Sequence, residues 1–486
     1  MPIEPLPDDF LSAIEGEILA GLPNEQGRRE VCLRSAAYYA LRGVDMIPHR
    51  EAEDDADYRR RPKRSLPFAR RVVTVLASQL YAPAPARSLP GHEGAADWLN
   101  AAYDAAQVNG VWQQVDRMSH LHGMAAIQVA ATGDPARPLS FQVWSGWHEI
   151  VPYEAPWKAN EVACCVTIDC ADNRTRYTFW TPEFFRVYET DQLRPGQTAG
   201  GRLPRFRPEL SGQNPYGVLP FAFAWFEPPT SGIDACGGLG PFLSAINSTL
   251  DVEASDLAQA VQEYHAPMGV AFDVDVAANP VRVMGRFARL ASLPTDLEKS
   301  PPGRLEYLQA DLDIEGGWTN IRSVIDSELE GLGVPVTSYR MGSKPLASGA
   351  ALAIEQKPLA DYATERRQPF RRYERDLAVA SLAVGGTHYD RADLLAAAKE
   401  GRLSLAWPGA QVDLPGPERD AQDRAAIELG IESPVTIAMR RYGLTREQAI
   451  AHLAQVAADP GLVREAAARL GVPTPPAVDP VQTNGG

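Results

Sequence analysis

The residues of this sequence that could do chemistry are few, and their spacing does not assemble a site. His120 and His122 stand two residues apart in a stretch that predicts a helix, where they point to different faces and share a metal ion poorly. Cys164 and Cys165 are adjacent in a predicted strand, so their side chains lie on opposite faces. We interpret the histidines as packing or surface residues and the cysteines as buried thiols.

Common enzyme motifs are also missing from the sequence. It contains no GxxxxGK[ST] loop, GxSxG elbow, HExxH pair or GxGxxG turn. The GGLG cluster at 237–240 precedes a predicted helix and is more typical of a hinge or cap than of an anion site. Asp54 and Asp55 lie in a charge run without a companion base. We therefore expect no catalytic residues, no cofactor and no metal. The enzymatic alternative is a hydrolase whose carboxylates assemble in the β-rich section of the chain.

One basic stretch remains, in the segment GLGVPVTSYRMGSKPLASGAALAIEQ at 331–356. It carries Arg340, Ser343 and Lys344 between a breaker-rich loop and a predicted helix. From the residues alone, the two cations fit a solvated surface turn somewhat better than a ligand-facing loop. Four glycines give this segment the freedom of a hinge: Gly331, Gly333, Gly342 and Gly349.

Composition limits the class of protein. A chain of 486 residues predicts about two to four domains or modules. A formal charge of -15 makes it a poor non-specific binder of nucleic acid. The five cysteines form no CxxC pair, which favours reduced cytosolic thiols over disulfides or zinc. The acidic N-terminus does not resemble a signal peptide, and no run of 18 apolar residues predicts a membrane span.

The patterning predicts an α+β chain. Helices are expected near the N-terminus, and short alternating runs between about 125 and 228 predict an antiparallel β section. Two helices of similar length, at 238–265 and 311–332, enclose short strands and loops. A longer helical segment follows at about 348–384, with kinks expected at its two prolines. Short helices and a Pro/Gly-rich tail complete the chain.

This order of elements resembles the portal proteins of tailed bacteriophages, in particular the SPP1-type portal family. YYALRG at 38–43, followed by a basic amphipathic helix, is similar to an early element of that family. The stretch from GGLGPFL to GVAF at 237–272 resembles its first stem helix running into the clip. VPVTSYRMGSKPLASGAALAIEQ and the following helix, at 334–378, resemble its tunnel loop and long helix. ELGIESPVTIAMRRYGLT at 428–445 is similar to its C-terminal helices.

The resemblance implies a portal fold with an α/β wing, a two-helix stem, a small α/β clip between the stem helices, a kinked helix after the tunnel loop and a helical crown. Carried over to this sequence, it gives the following map: wing 1–235; stem helices 238–265 and 311–332; clip 266–310; tunnel loop 337–349; long kinked wing helix 350–384; crown 385–465; disordered tail 466–486.

The implied function is that of a conduit. About twelve subunits would form a ring at one capsid vertex, through which double-stranded DNA passes during packaging and ejection without sequence readout. Implied partners are the terminase, a head-completion adaptor, and the major capsid and scaffolding proteins. The protein would reside in the virion, and in the host cytoplasm during assembly, without a membrane. Another head–tail connector ring protein is a further alternative, although adaptors are usually much shorter.

The resemblance also gives roles to basic residues. Arg340 and Lys344, with Ser343 between them, would form a belt of positive charge around the duplex once repeated in the ring. Clip arginines would contact DNA or the adaptor, although pairing with acids of a neighbouring subunit is equally compatible: Arg282, Arg286 and Arg289. Four arginines of the long helix are expected in salt bridges between subunits: Arg366, Arg367, Arg371 and Arg372.

Overall fold

The computed structural model describes most of the chain up to residue 407 and short pieces beyond it. The described residues are 5–50, 53–78, 80–81, 84–171, 174–190, 203–230, 232–233, 237–265, 268–272, 287–290, 304–308, 313–336, 349–407, 423–425, 427, 433–442, 446, 449–451 and 453–454. The chain divides into two units. The first comprises Met1–Gly342 and Lys357–Ala410, and the second comprises Ser343–Gln356 and Gln411–Gly486.

Helices and strands both contribute substantially, so the fold is α+β, as predicted. The described helices are α1 Asp8–Leu19, α2 Gln26–Tyr39, α3 Asp55–Arg60, α4 Phe68–Ala77, α5 Glu93–Ala105, α6 Val108–His122, α7 Gly240–His265, α8 Ile314–Gly331, α9 Gly349–His388, α10 Ala392–Glu400 and α11 Pro434–Tyr442. The described strands are β1 Ala86–Ser88, β2 Met124–Ala131, β3 Leu139–Ser145, β4 Ile150–Ala155, β5 Lys158–Ala171, β6 Arg174–Trp180, β7 Phe184–Thr190, β8 Arg205–Phe206, β9 Gly212–Gln213, β10 Phe221–Trp225, β11 Met268–Phe272, β12 Phe287–Leu290, β13 Arg304–Leu308 and β14 Ser404–Ala406.

The predicted β section contains two sheets. One has three strands in the order β10-β2-β3, and the other has the order β4-β5-β6-β7-β8, with β9 also paired to β7. Every pairing within these two sheets is antiparallel, which confirms the predicted antiparallel section. Most of the successive strands are joined by short turns, which suits antiparallel neighbours.

The larger hydrophobic core lies between these sheets and the helices α5, α6 and the second half of α9. Trp112 of α6 is fully buried there, with Tyr81 stacked against it and Phe370 of α9 meeting it edge-on at 5.6 Å. Aromatic rings prefer such offset and edge-to-face arrangements, and each large ring removes much apolar surface from water. The core therefore attaches α9 to the β section.

Helices α7 and α8 enclose a small sheet in which β11 pairs with β12 in parallel and with β13 antiparallel. Because Met268, just after α7, pairs with Leu308, just before α8, the two helices return past each other as a hairpin. Their facing residues join a second core: Leu243, Leu250, Ile321, Ile325 and Leu329. A Cβ at Gly317 would lie 3.0 Å from Leu257 Cδ1, so this glycine lets the helices approach closely.

A row of polar residues on α7 accepts backbone donors from the segment that starts α4. The Asn247 Oδ1 accepts from Ala69 N at 3.0 Å, and Asp251 Oδ1 accepts from Leu66 N at 2.7 Å. One turn later, Ser255 Oγ accepts from Arg64 N at 2.9 Å. These residues recur every four positions and so share one helix face. Ala69 lies in the first turn of α4, where N–H groups lack partners within the helix, and Arg64 and Leu66 lie in the segment that leads into it.

Helix α9 runs for 40 residues and contains both Pro358 and Pro369. Its second half is fixed by a buried ion pair, in which Arg87 of β1 donates to both carboxylate oxygens of Glu374, at 2.5 and 3.0 Å. Tyr81 donates to the same carboxylate at 2.9 Å. A two-pronged guanidinium–carboxylate contact constrains direction as well as distance, so it fixes where this part of the helix sits against β1.

The chain after α9 returns to the same unit. Strand β14 pairs antiparallel with β1, and Gly386 of α9 lies so close to Leu395 of α10 that a Cβ would collide with it. The part of the predicted crown up to residue 407 thus belongs to the unit that holds the β section. Within the second unit, α11 lies in the predicted crown. The predicted tail, 466–486, is outside the described residues.

The polar row on α7 predicts a stability effect. Asp251→Ala removes the acceptor of both Leu66 N and the Ser65 hydroxyl. Because buried donors without partners are costly, we expect the free energy of unfolding to fall by about 1–3 kcal/mol in urea denaturation followed by circular dichroism. Thr249→Ala, at an exposed position of the same helix, is the matched control and should stay within about 0.5 kcal/mol. Equal effects of the two substitutions would contradict this role for Asp251.

Candidate functional site

The predicted DNA-facing residues cannot be located in the structure. Arg340, Gly342, Ser343 and Lys344 lie outside the described residues, and so do the clip residues Arg282 and Arg286. Their proposed roles therefore stay predictions that rest on the sequence.

Four other predicted residues can be placed. Gly331 is the last residue of α8, and Gly349 is the first residue of α9. Gly333 adopts a φ of 67°, a left-handed conformation that glycine takes without strain, directly after α8 ends. Arg289 lies in β12, opposite Ala271 of β11. The described glycines thus mark the end of one helix and the start of the next, on either side of the basic segment.

The two helices that lead to and from the small sheet are acidic. Helix α7 contains four Asp or Glu residues and no Lys or Arg, and α8 contains four acids and Arg322 alone. Among these acids, Asp256 is 47% exposed, and Glu315 and Glu330 are exposed as well. An acidic surface repels phosphate groups instead of binding them.

The GGLG cluster before α7 packs against protein and does not frame an anion site. Leu239 N donates to the carbonyl of His120 at 2.7 Å. A Cβ on Gly238 would collide with the backbone at Gly123, and one on Gly240 would collide with the carbonyl of Leu121. The start of α7 therefore meets the end of α6. The last carbonyls of α6 lack partners within that helix, and their partial negative charge attracts the partial positive charge at the start of α7. This close approach of two backbones explains Gly238 and Gly240.

Arg366 corrects the expectation of a salt bridge between subunits. Its guanidinium is 6% exposed and donates to Asp116 Oδ1 of α6 at 2.6 Å and to Ser119 Oγ at 3.1 Å. It also donates to the backbone carbonyls of Trp225 and Phe226. Amphipathic patterning could not separate this residue from its exposed neighbours, because its partner Asp116 lies 250 residues earlier in the chain.

The two histidines of the HLH stretch are buried. His120 is hydrogen-bonded through both ring nitrogens, to the Asp116 carbonyl and to the Tyr362 hydroxyl, each at 2.6 Å. Burial lowers the pKa of His120, so the ring is neutral at pH 7. This side chain performs the packing role predicted for it.

His122 has different surroundings, which sequence reasoning missed. Its ring meets that of His148 at 5.1 Å between centroids, and Cys32 of α2 completes a group whose potential ligand atoms all lie within 4.8 Å of one another. Burial lowers the pKa of His122 to about 3 and that of His148 to about 4, and it raises the pKa of Cys32 to about 11. Because the three residues are far apart in the sequence, no spacing motif indicates that they form a group.

The same group does not fit a cysteine nucleophile. Nucleophilic cysteines have a lowered pKa and access to substrate, whereas Cys32 is 4% exposed and its pKa is raised by burial. The protonated thiol of Cys32 is therefore a weak nucleophile at pH 7.

Two further features bear on the enzymatic alternative. The buried carboxylate of Glu189 in β7 accepts from Arg176 at 2.8 Å and lies near Arg174 and Arg207, so it is held as a structural anion. A surface pocket beside α9 is lined by two arginines and otherwise uncharged residues: Thr364, Arg367, Gln368, Arg371, Leu405, Ala406 and Trp407. The described residues that line this pocket include no carboxylate, histidine or thiol for acid–base or nucleophilic catalysis.

Within the described part of the chain, no helix has the length and apolar character needed to cross a membrane.

Comparisons with known proteins give a partial likeness to solved structures. No protein-family model and no curated protein matches the chain. Among solved structures, the chain is similar to a component of the "Virion of native gene transfer agent (GTA) particle", with a TM-score of 0.39 and 16% identity. The match covers 83% of this chain and 99% of that one. At this TM-score the likeness does not define a shared fold.

The burial of Arg366 predicts that alanine substitutions of two arginines on α9 lower the stability by different amounts. Arg366→Ala leaves Asp116 buried without its counter-charge, so we expect the free energy of unfolding to fall by about 3–5 kcal/mol. Arg372→Ala removes a side chain that is 49% exposed and 3.8 Å from Asp376, and should change it by no more than about 0.5 kcal/mol. Chemical denaturation of both variants checks this, and similar values for the two would show that Arg366 is not a structural ion.

Proposed function

We propose that the chain is a portal protein, which forms a ring at one capsid vertex and conducts DNA during packaging and ejection. The observation that carries the proposal is the order of elements from α7 to α9: two antiparallel helices, a small sheet between them, and a 40-residue helix that follows. The sequence resemblance expects a stem, a clip and a long helix in this order. We assign α7 and α8 to the stem and the sheet β11–β13 to the clip.

The charge distribution supports a conduit. A channel wall that bound many phosphates would hold DNA tightly at low salt and slow its movement. Helices α7 and α8 carry eight acids against one arginine, which would keep the duplex from adsorbing to a wall built from them. A binding protein for nucleic acid would be expected to place lysines and arginines on the exposed faces of such helices.

The basic segment between α8 and α9 complements that wall. It joins the end of one stem helix to the start of the long helix, so in a ring it would recur once per subunit at one level. Arg340 and Lys344 would then form a narrow belt of cations, which can centre a duplex through its phosphates without reading bases. One weak contact per subunit allows the DNA to slide.

The partners follow from this role. We assign docking of a terminase motor and a head-completion protein to the ring, and contact with capsid and scaffolding proteins during assembly in the host cytoplasm. The protein itself would hydrolyse nothing. Within the described β section, the buried acid Glu189 pairs with Arg176 and lies near Arg174 and Arg207, which does not favour a hydrolase.

A ring is the first expectation to test. Electron microscopy of the purified full chain should give top views with a central channel and rotational symmetry of about twelve, in agreement with the cyclic symmetry of a closed homo-oligomer. Mass photometry over a concentration series provides the subunit number independently. A homogeneous dimer without a channel, or monomers at every concentration, would contradict the proposal.

The belt predicts a local effect on DNA affinity. Lys344→Ala should weaken binding of linear duplex DNA to the assembled ring and lower the salt dependence, by about one unit of slope for each phosphate that is no longer neutralised. Lys357→Ala, an exposed lysine of α9, is the matched control and should leave both unchanged. Binding is measured by fluorescence anisotropy at several salt concentrations. If Lys344→Ala behaves as the control does, Lys344 does not face the DNA.

A further inference from the structure

Three residues from separate elements meet at one buried point in the first unit. Cys32 lies in the middle of α2, His122 is the last residue of α6, and His148 lies in the turn between β3 and β4. The close approach of Gly146 to His122 keeps the turn against the helix end, because a Cβ on Gly146 would lie 2.5 Å from the Cβ of His122. The backbone therefore holds the three side chains together.

The distances are near those of a metal site. The potential ligand atoms lie within 4.8 Å of one another. In a tetrahedral zinc site, with Zn–S near 2.3 Å and Zn–N near 2.0 Å, these ligand atoms are about 3.3–3.5 Å apart. Small side-chain rotations that contract the group by about 1 Å would close it around an ion. One thiolate and two imidazoles suit Zn²⁺, which accepts soft sulfur and nitrogen ligands together.

Both imidazoles have a ring nitrogen without a partner, whereas the Cys32 sulfur accepts from the backbone of Trp147 and His148. The Nδ1 atoms of His122 and His148 are both buried without a hydrogen-bond partner, although buried polar atoms normally have one. Both rings are neutral at pH 7, as metal ligands must be. The Nε2 of His148 is 3.8 Å from Glu149 Oε1, and a carboxylate behind a ligating imidazole commonly orients the ring toward its metal.

The local charge also permits a cation. Arg29, one turn before Cys32, is buried near His148, and its repulsion adds to the effect of burial in lowering the pKa of that ring. A divalent ion would add two positive charges. The thiolate of Cys32, formed when the metal displaces the thiol proton to solvent, would offset one, and the neighbouring carboxylate of Glu149 would offset the other. The positive charge of the site would then be no greater than that of Arg29 alone.

We propose that Cys32, His122 and His148 form a binding site for Zn²⁺, with a water molecule as the fourth ligand. The site would join α2 to the end of α6 and to the β3–β4 turn, and so connect the N-terminal helices to the β section. The ion would hold these three elements together, in addition to the backbone hydrogen bonds that the Cys32 sulfur accepts from Trp147 and His148.

Cobalt binding by the full chain tests the proposal. After treatment with a chelator and its removal, Co²⁺ is titrated and the thiolate-to-cobalt charge-transfer and ligand-field bands are recorded; Zn²⁺ should displace the cobalt. We expect one ion per chain, tetrahedral ligand-field intensity, and a rise in the midpoint of thermal unfolding on addition of Zn²⁺. Cys32→Ser should abolish the charge-transfer band, and His148→Gln should weaken binding by more than about tenfold.

Cys170→Ser is the matched control, because Cys170 is an exposed free thiol on β5 and should not alter the titration. Circular dichroism of each variant separates loss of metal from loss of fold, and His148→Gln, at the most exposed of the three positions, is the variant least prone to misfold. The proposal is overturned if the folded wild-type chain gives no charge-transfer band, or if folded Cys32→Ser retains it.

Discussion

The interaction on which much of the fold depends is the attachment of α9 by buried charge. Arg366 and Glu374 lie two turns apart on this helix, and each meets an opposite charge from the N-terminal part of the chain, Asp116 and Arg87. Buried ion pairs contribute little net stability, yet they penalise every arrangement that separates them. The helix can slide or rotate only by leaving a charge unpaired in the interior. Its register against α6 and β1 is therefore fixed more sharply than apolar packing alone would fix it.

That register links the two hydrophobic cores. Leu359 contributes to the core shared with α4, α7 and α8, whereas Phe370 contributes to the core of the β section. The stem-like helices are joined to the same frame by the polar row of α7, which accepts backbone donors from 64–69. Apolar faces supply most of the burial, and hydrogen bonds decide which of several similar faces is used. This division explains why a helix as polar as α7 is nevertheless well packed.

The sequence predicted the elements better than their contacts. Alternation identified the antiparallel section, because the two-residue period is a property of local strand geometry. The polar residues of α7 have partners about 180 residues away, which no local pattern encodes. Arg366 was expected to pair between subunits, because no local pattern indicates a partner that lies 250 residues earlier in the chain. The pairing of β14, Ser404–Ala406, with β1 was not predicted, since a three-residue strand gives almost no periodic signal.

The candidate sites differ in the same way. The basic segment could be found from the sequence, because its arginine and lysine stand between acidic segments of the chain. The group of Cys32, His122 and His148 could not, because each residue alone resembles a packed side chain and only the tertiary fold brings them together. The two sites also depend on symmetry differently. A belt around DNA exists only when many subunits place one cation at a common level. A metal bound by Cys32, His122 and His148 would be complete within a single chain, so it could stabilise the subunit before any ring has formed.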